Sequence, residues 1–251
     1  MSRIPRSGAT QRRASSIAAD NGPDTVVSRE KLAAVAARLK AQYGTPRWQS
    51  EGDPIAVLVS TILSQSTTDL NTERAFRSLR ERFPTWEEVL AAPTSEVAEA
   101  IRVGGLADQK APRIQEVLRR VLTGDGATMV DELETLPVAE ARSRLESLPG
   151  VGAKTASCVL LFSLGRPAFP VDTHVHRVSR RLGLVPPNAS PVATQNLIEP
   201  LLGGDRNEVY ALHMNLIAHG RSVCRAPRPL CDQCCLTDLC STYRESRIKD
   251  A

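Results

Sequence analysis

The sequence predicts an all-α protein, and three observations support this. Aromatic residues make up only 4% of the 251 residues, and Ala, Leu and Val supply most of the apolar side chains. Strands favour β-branched and aromatic residues, whereas Ala and Leu favour helices. From about residue 28 onward, apolar residues recur at helical spacing in one segment after another. No segment alternates apolar and polar residues as a strand or a hairpin would.

The first predicted helices lie in the N-terminal third of the chain. REKLAAVAARLKAQYG places Leu and Val at helical spacing and ends at Gly44. Asp53 is a candidate N-cap, and Pro54 suits the first position of the helix that continues as IAVLVSTILS. That segment is apolar on nearly every side, so we expect its helix at the centre of the fold.

The remaining predicted helices follow one another with short breaks. Most of them end at Gly or before Pro, which are frequent helix terminators. In order they are LNTERAFRSLRERF, TWEEVLAA, SEVAEAIRV, KAPRIQEVLRRVL, VAEARSRLESL, THVHRVSRRLG, VATQNLIEPLL and RNEVYALHMNLIAHG.

Composition excludes some classes of protein and leaves others open. Hydrophobic residues make up 41% and charged residues 24%, which is ordinary for a globular protein. No apolar run approaches the ~20 residues that span a bilayer. The net charge of +4 is a weak indication of a polyanionic partner.

The first 27 residues differ from the rest of the chain. They contain four arginines and several serines, and no acid occurs before Asp20. We expect a disordered basic arm, because no amphipathic helix is visible in this stretch. The same composition also fits an organellar transit peptide.

The stretch LPGVGAKTAS combines a glycine-containing turn with one lysine at the start of an apolar run. Pro149 ends the preceding helix, and Gly150 and Gly152 permit backbone angles that other residues avoid. Free N–H groups in such a turn can bind a phosphate oxygen, although a ligand-free hairpin explains the glycines equally well. The helix dipole and partial burial both favour a neutral amine at Lys154, which can attack a sugar C1′ and form a Schiff base. The alternative is a lysine that extends to solvent and contacts a phosphate.

A second chemical group follows eighteen residues later. Asp172 precedes the helix in THVHRVSRRLG and is a candidate N-cap. A carboxylate there can also share a pocket with Lys154, stabilise an oxocarbenium-like sugar and manage protons around the amine. The two roles are compatible, because capping keeps the carboxylate ionised and fixed in direction.

LPGVGAKTAS followed by VDTHVHRVSRRLGL resembles the helix-hairpin-helix and Gly/Pro-Asp signature of the endonuclease III family of DNA glycosylases. The similarity runs from about residue 28 to Cys240. It implies two helical domains with a DNA-binding cleft between them. The expected divisions are a basic arm (1–27), an iron–sulfur cluster domain (28–48 and 167–241), a six-helix barrel domain with the helix-hairpin-helix (49–166) and a C-terminal tail (242–251).

The resemblance also implies an activity. Lys154 matches the catalytic lysine of the bifunctional members, and Asp172 matches the catalytic aspartate. We therefore expect a base-excision-repair glycosylase with AP lyase activity that removes oxidised pyrimidines from duplex DNA. The alternatives are a relative specific for a mismatched thymine or a pyrimidine dimer, and a non-catalytic iron–sulfur DNA-binding protein. The last of these would need neither Lys154 nor Asp172.

We further expect a monomer that binds damaged double-stranded DNA and no membrane. Its expected location is the bacterial cytoplasm, in association with the nucleoid. Targeting to an organelle by the N-terminal arm is the minor alternative.

Five of the six cysteines crowd near the C-terminus, which indicates metal ligation in a reducing compartment. Cys224, Cys231, Cys234 and Cys240 have the spacing C-x6-C-x2-C-x5-C. Four thiolates can hold one zinc ion or one iron–sulfur cluster. The resemblance favours a [4Fe-4S] cluster. Cys235 falls outside the pattern, and we expect Cys158 in the core.

The resemblance implies further DNA contacts. Leu106 matches an apolar wedge that fills the space of an extruded base. In ILSQSTTD, Gln65 lies one position early and Ser66 stands where an intercalating glutamine is usual. Either Gln65 substitutes for that glutamine or Ser66 fills the gap poorly. The other predicted DNA-binding residues are Leu148, Gly150, Val151 and Gly152 of the hairpin, together with Asp69, His174, Arg221, Arg225 and Arg228.

Overall fold

The computed structural model describes residues 28–122 and 129–249, and these residues form α-helices and short helical turns without any β-strand. The prediction of an all-α fold is therefore confirmed. The predicted basic arm (1–27) lies outside the described residues. None of the described helices is long and apolar enough to cross a membrane. The helices are α1 (Arg29–Tyr43), α2 (Pro54–Leu63), α3 (Asp69–Arg82), α4 (Trp86–Ala91), α5 (Thr94–Ala100), α6 (Ala107–Leu122), α7 (Met129–Thr135), α8 (Val138–Glu146), α9 (Ala153–Cys158), α10 (Thr173–Leu182), α11 (Pro191–Ile198), α12 (Arg206–Ser222) and α13 (Ser241–Lys249).

The first apolar core surrounds α2, which packs against α3, α6 and α9. Most of its side chains are buried, as its apolar sequence predicts. Asp53 caps the helix by accepting a hydrogen bond from the Ile55 amide at 2.9 Å. Its second carboxylate oxygen accepts from Trp86 Nε1 at 2.7 Å, so the start of α2 is also tied to α4.

The second apolar core is built mainly from α1, α10 and α12. Buried Val175 and Val178 of α10 and buried Val35 and Leu39 of α1 belong to this core, and both helices pack against α12. The predicted C-terminal tail is helical over most of its length, because α13 forms there and packs against α10.

One segment contributes to both cores. The side chains of Ala156, Val159 and Leu160 belong to the first core, and the side chain of Leu161 belongs to the second. The helix α9 continues without a break into a π-helical turn, Val159–Ser163.

The segment just before α2 satisfies the carbonyl groups of the π-helical turn. A π-turn departs from the regular helical ladder, so its last carbonyls need other donors. Trp48 Nε1 donates to the Leu161 carbonyl at 2.5 Å, and the Glu51 amide donates to the Phe162 carbonyl at 2.9 Å. Ser50 Oγ donates to the Ser163 carbonyl at 3.0 Å.

The second core contains one buried histidine. His213 on α12 is only 2% exposed and lies against the rings of Phe162 and Phe169. Its Nδ1 donates to the Pro170 carbonyl at 2.9 Å, because a carbonyl can only accept. Burial lowers the pKa of His213 to about 4, although the Asp172 carboxylate acts in the opposite direction.

The low pKa of His213 predicts a loss of stability in acid. Between pH 6.5 and pH 4 the unfolded chain binds a proton at this residue that the folded chain excludes. Stability is therefore fully present above pH 6.5 and falls as the pH drops, by about 3 kcal/mol at pH 4. Urea unfolding of wild type and His213→Asn across this range measures it, since Asn retains a donor for Pro170. Parallel pH profiles for the two proteins would contradict the prediction.

Candidate active site and cysteine-lined cavity

The hairpin between α8 and α9 needs a glycine at one position. Gly150 has φ of 74°, and a Cβ there would lie 2.4 Å from Cδ of Arg113. Gly152 has φ of −103°, an extended conformation that any residue adopts, so the prediction of special backbone angles is wrong for Gly152. Open space surrounds Gly152, and its amide and that of Ala153 have no protein acceptor among the described residues.

The apolar residues of the hairpin face the interior. Leu148 and Val151 are only 2% and 5% exposed and belong to the first core. Their side chains therefore hold the turn against the helices of the first core, and their amides donate to the carbonyls of Leu145 at 3.0 Å and Leu148 at 3.2 Å. The hairpin presents main-chain groups at its surface, as phosphate positioning requires.

Lys154 and Asp172 lie at the starts of two different helices, α9 and α10. Lys154 is half-buried in the first turn of α9. Asp172 is the N-cap of α10, where its Oδ1 accepts from the Val175 amide at 2.7 Å, and this confirms the predicted cap. Both charged groups act electrostatically on two buried neighbours, Cys158 and His213. The fold thus brings the predicted amine and carboxylate into one polar site.

Cys158 forms part of the buried wall of this site. Burial raises the pKa of its thiol to about 11, and the charge and hydrogen bonding of Lys154 act in the opposite direction. Asp172 and Glu51 act in the same direction as burial. Cys158 is therefore a thiol at neutral pH, and its predicted place in the interior is observed.

Two loops beside the site carry the predicted gap-filling residues. Ser66 and Leu106 have φ of 56° and 53°, and no other described non-glycine residue has a positive φ. Ser66 is exposed, and Leu106 is 49% exposed although it is apolar. Gln65 is half-buried instead, because its Oε1 accepts from Arg113 Nη1 at 3.1 Å and its Nε2 donates to the Gly150 carbonyl at 3.4 Å.

Other predicted DNA-binding residues lie around the mouth of the site. Asp69 does not cap α3, since Thr68 does so, and it pairs instead with Arg221 on α12 at 2.7 Å. His174 accepts a hydrogen bond from Arg177 at 3.1 Å and packs closely on α12. Arg225 and Arg228 lie exposed in the cysteine-containing loop.

The four cysteines of the C-terminal pattern line one cavity of about 220 Å³. Cys224, Cys231, Cys234 and Cys240 all face it, whereas Cys235 does not. No group of three or more His, Cys, Asp or Glu side chains in residues 28–122 and 129–249 is arranged to hold a single metal ion.

Donors surround the sulfur atoms of this cavity. Arg181 Nη1 approaches Cys224 Sγ at 3.5 Å, and the Leu236 amide donates to Cys234 Sγ at 3.4 Å. Burial raises the pKa of Cys234 to about 11, and it also raises the pKa of Cys240. A bound cationic metal group would be needed to keep such buried sulfurs as thiolates.

Three residues at or beside the site could not be identified from the sequence. Arg113 reaches both Gln65 and the hairpin from the middle of α6, and a solvent-facing arginine has the same sequence context. His213 interrupts an apolar stretch of α12 as any core histidine does. Glu51 lies in the irregular segment before α2, and burial raises the pKa of its carboxyl group. Only the three-dimensional contacts assign these residues to the site.

Comparisons with known proteins identify the family of this chain. Residues 59–202 match the sequence-family model of the HhH-GPD superfamily of base excision DNA repair proteins. Endonuclease III of Thermotoga maritima is 39% identical over 199 residues, which are 79% of this chain and 88% of that protein.

Two solved structures show the same fold. A trapped covalent intermediate of endonuclease III with DNA is 27% identical, with a TM-score of 0.73 over 88% of this chain and all of that one. A thermostable thymine-DNA glycosylase is 26% identical, with a TM-score of 0.71 over 86% of this chain and 98% of that one. The helix-hairpin-helix, the Lys154–Asp172 site and these similarities together show that the chain belongs to the endonuclease III family within the HhH-GPD superfamily of base excision DNA repair proteins.

Proposed function

We propose that this base-excision DNA glycosylase and lyase acts on oxidised pyrimidines in duplex DNA, with Lys154 as its nucleophile and Asp172 as the assisting carboxylate. The observation that carries the proposal is that these two groups, at the N-termini of α9 and α10, both act electrostatically on the same two buried side chains, Cys158 and His213. An amine and a carboxylate in one pocket are the groups that Schiff-base chemistry at a sugar carbon requires.

The reaction follows from the chemistry of these two groups. The neutral amine of Lys154 attacks C1′, the bond from C1′ to the base breaks, and the base leaves with the bonding electrons and takes up a proton. Asp172 accepts the proton that Lys154 loses and stabilises the positive charge on the sugar. Loss of the base leaves Lys154 Nζ bonded to C1′ of the closed sugar ring. The nitrogen lone pair then breaks the C1′–O4′ bond, O4′ takes up the proton held by Asp172, and a protonated Schiff base forms at C1′. This Schiff base acidifies C2′, so that loss of a C2′ proton expels the 3′ phosphate by β-elimination.

The surroundings of the site support duplex DNA as the substrate. The hairpin offers unpaired amides, and the exposed Arg225 and Arg228 are suited to phosphates. Leu106 and Ser66 project from loops beside the site and are placed to fill the space of an extruded base.

The similarity to a thymine-DNA glycosylase makes a mismatched thymine the second candidate substrate. A panel of duplexes carrying an oxidised pyrimidine, a mismatched thymine or a pyrimidine dimer separates the candidates. If single-turnover base removal is fastest on the oxidised pyrimidine, the proposal is supported. If it is faster on the mismatched thymine or the pyrimidine dimer, that lesion is the substrate instead.

Borohydride trapping on a duplex with an abasic site tests the nucleophile. Reduction of the Schiff base leaves a covalent protein–DNA adduct, visible as a shifted band on a denaturing gel. We expect the adduct from wild type and none from Lys154→Ala. Asp172→Asn, which retains an N-cap, is expected to slow trapping about 100-fold or more because the carboxylate charge is lost.

The matched control is Lys40→Ala. Lys40 pairs with Glu208 on the surface of the second core and lies outside the site. This variant is expected to form the adduct at the wild-type rate. An adduct from Lys154→Ala at that same rate, or no adduct from folded wild type, would show that Lys154 is not the nucleophile.

We also propose that Cys224, Cys231, Cys234 and Cys240 hold a [4Fe-4S] cluster. All four thiols face one cavity, and N–H donors point at two of the sulfurs. Donors of this kind stabilise the negative charge of cluster thiolates. When bound, the cluster supplies a four-thiolate cross-link of the loop that carries Arg225 and Arg228.

Neighbouring cysteines give a direct test of the ligand set. Cys234→Ala is expected to lose the bound iron and the brown colour, because one of four thiolates is removed. Cys235→Ala is expected to retain about four iron atoms per chain. Iron and acid-labile sulfide assays together with the visible absorption spectrum measure this. A colourless wild-type protein that contains zinc would overturn the cluster.

A further inference from the structure

The most deeply buried charge among the described residues is Lys110, in the first half of α6. Its side chain is 1% exposed, and no carboxylate contacts it. Its Nζ donates to two main-chain carbonyls, those of Leu63 at 2.7 Å and Gly104 at 2.9 Å. Burial lowers the pKa of this lysine. A buried cation is costly, so its two partners indicate what it does.

Both carbonyls lie at the ends of helical segments. Leu63 is the last residue of α2, and Gly104 is the last residue of a 3₁₀ turn, Arg102–Gly104. Terminal carbonyls have no partner in their own helix and carry the negative end of its dipole. A single ammonium group therefore satisfies the Leu63 and Gly104 carbonyls, which accept from no other described donor.

Each of these helix ends leads directly into one of the two loops beside the active site. Ser66 follows Leu63 by three residues, and Leu106 follows Gly104 by two. The backbone amide of Lys110 also donates to the carbonyl of Leu106 at 2.9 Å. Lys110 is therefore hydrogen-bonded to the residue that precedes each loop, Leu63 or Gly104, and also to Leu106 itself.

The two loops are strained in the same way. Ser66 and Leu106 occupy the left-handed region, which non-glycine residues adopt only when their surroundings hold them there. The bonds of Lys110 constrain the backbone just before each strained residue. Arg113 on α6 also bonds to the Ser66 loop, through Gln65 Oε1 at 3.1 Å, but among the described residues of α6 Lys110 is the one whose side chain bonds to both loops.

We propose that Lys110 is a positioning residue that sets the separation of the Ser66 and Leu106 loops and thereby controls extrusion of the target base from the duplex. This rests on the proposed function, since both loops matter only if a base is extruded. Lys110 is buried and its side chain bonds to the Leu63 and Gly104 carbonyls and not to Lys154, so the proposed role concerns entry of the base and not the chemistry at C1′.

The test compares two substrates with the same lesion, one opposite a normal base and one opposite an abasic analogue. Extrusion is harder for the paired lesion, because pairing and stacking must be broken. Lys110→Met removes the cation and keeps the length of the side chain. We expect it to slow single-turnover base removal at least about 10-fold more on the paired lesion than on the unpaired one. Lys110→Arg retains the cation and its donors. We therefore expect its ratio of the two rates to lie close to the wild-type value.

Gln115→Leu is the matched control. Gln115 is a buried side chain on the same helix, and its Nε2 also donates to two main-chain carbonyls, those of Val89 and Ala92. Those carbonyls belong to the end of α4, away from both loops. This variant is expected to lower the melting temperature as Lys110→Met does and to leave the ratio of the two rates at its wild-type value.

The outcomes separate this proposal from the proposed function. If wild type removes no base and traps no abasic site, the proposed function fails. If wild type is active and Lys110→Met slows both substrates equally, Lys110 is only a stabilising residue and the positioning role is overturned. If Lys110→Met does not fold, Lys110→Gln, which keeps one donor, undergoes the same comparison with the same criteria.

Discussion

The arrangement of the site depends on one helix that is buried between two cores. Residues 153–163 supply apolar side chains to the first core on one face and to the second core on the other. Lys154 is the only charged residue in this stretch, and it lies in the first turn, where the helix emerges between the cores. Because all other positions are committed to packing, the amine is held at this place by the hydrophobic burial of its neighbours.

The same logic holds for the carboxylate, which a second helix carries. Asp172 starts α10, and further along that helix Arg177 and Arg181 donate to main-chain carbonyls of the cysteine-containing loop, including that of Cys224 at 3.1 Å. The helix thus joins the loop to the site. The cysteine-containing loop and Asp172 are therefore attached to the same helix of ten residues.

Features that depend on local sequence were predictable, and features that depend on distant contacts were not. The start of α2 at Pro54 and the cap by Asp172 follow from neighbouring residues and appear as expected. The special backbone at Gly150 also appears, whereas Gly152 is extended, since the glycine pattern alone does not give the angle at each position. Lys110 and His213 are buried by elements far along the chain. Their sequence context is that of ordinary helix residues.

The departure at Gln65 and Ser66 shows how such distant contacts change the meaning of a motif. A shift of one position places the Gln65 amide between Arg113 and the hairpin carbonyl of Gly150, with a hydrogen bond on each side. To enter the base stack, this side chain would have to give up both bonds, each of which contributes about 1 kcal/mol. Ser66 lies at the exposed tip but has a short side chain, so Leu106 is the largest apolar group available to a DNA stack from these two loops. The geometry that holds the two loops apart therefore matters more here than the reach of a glutamine.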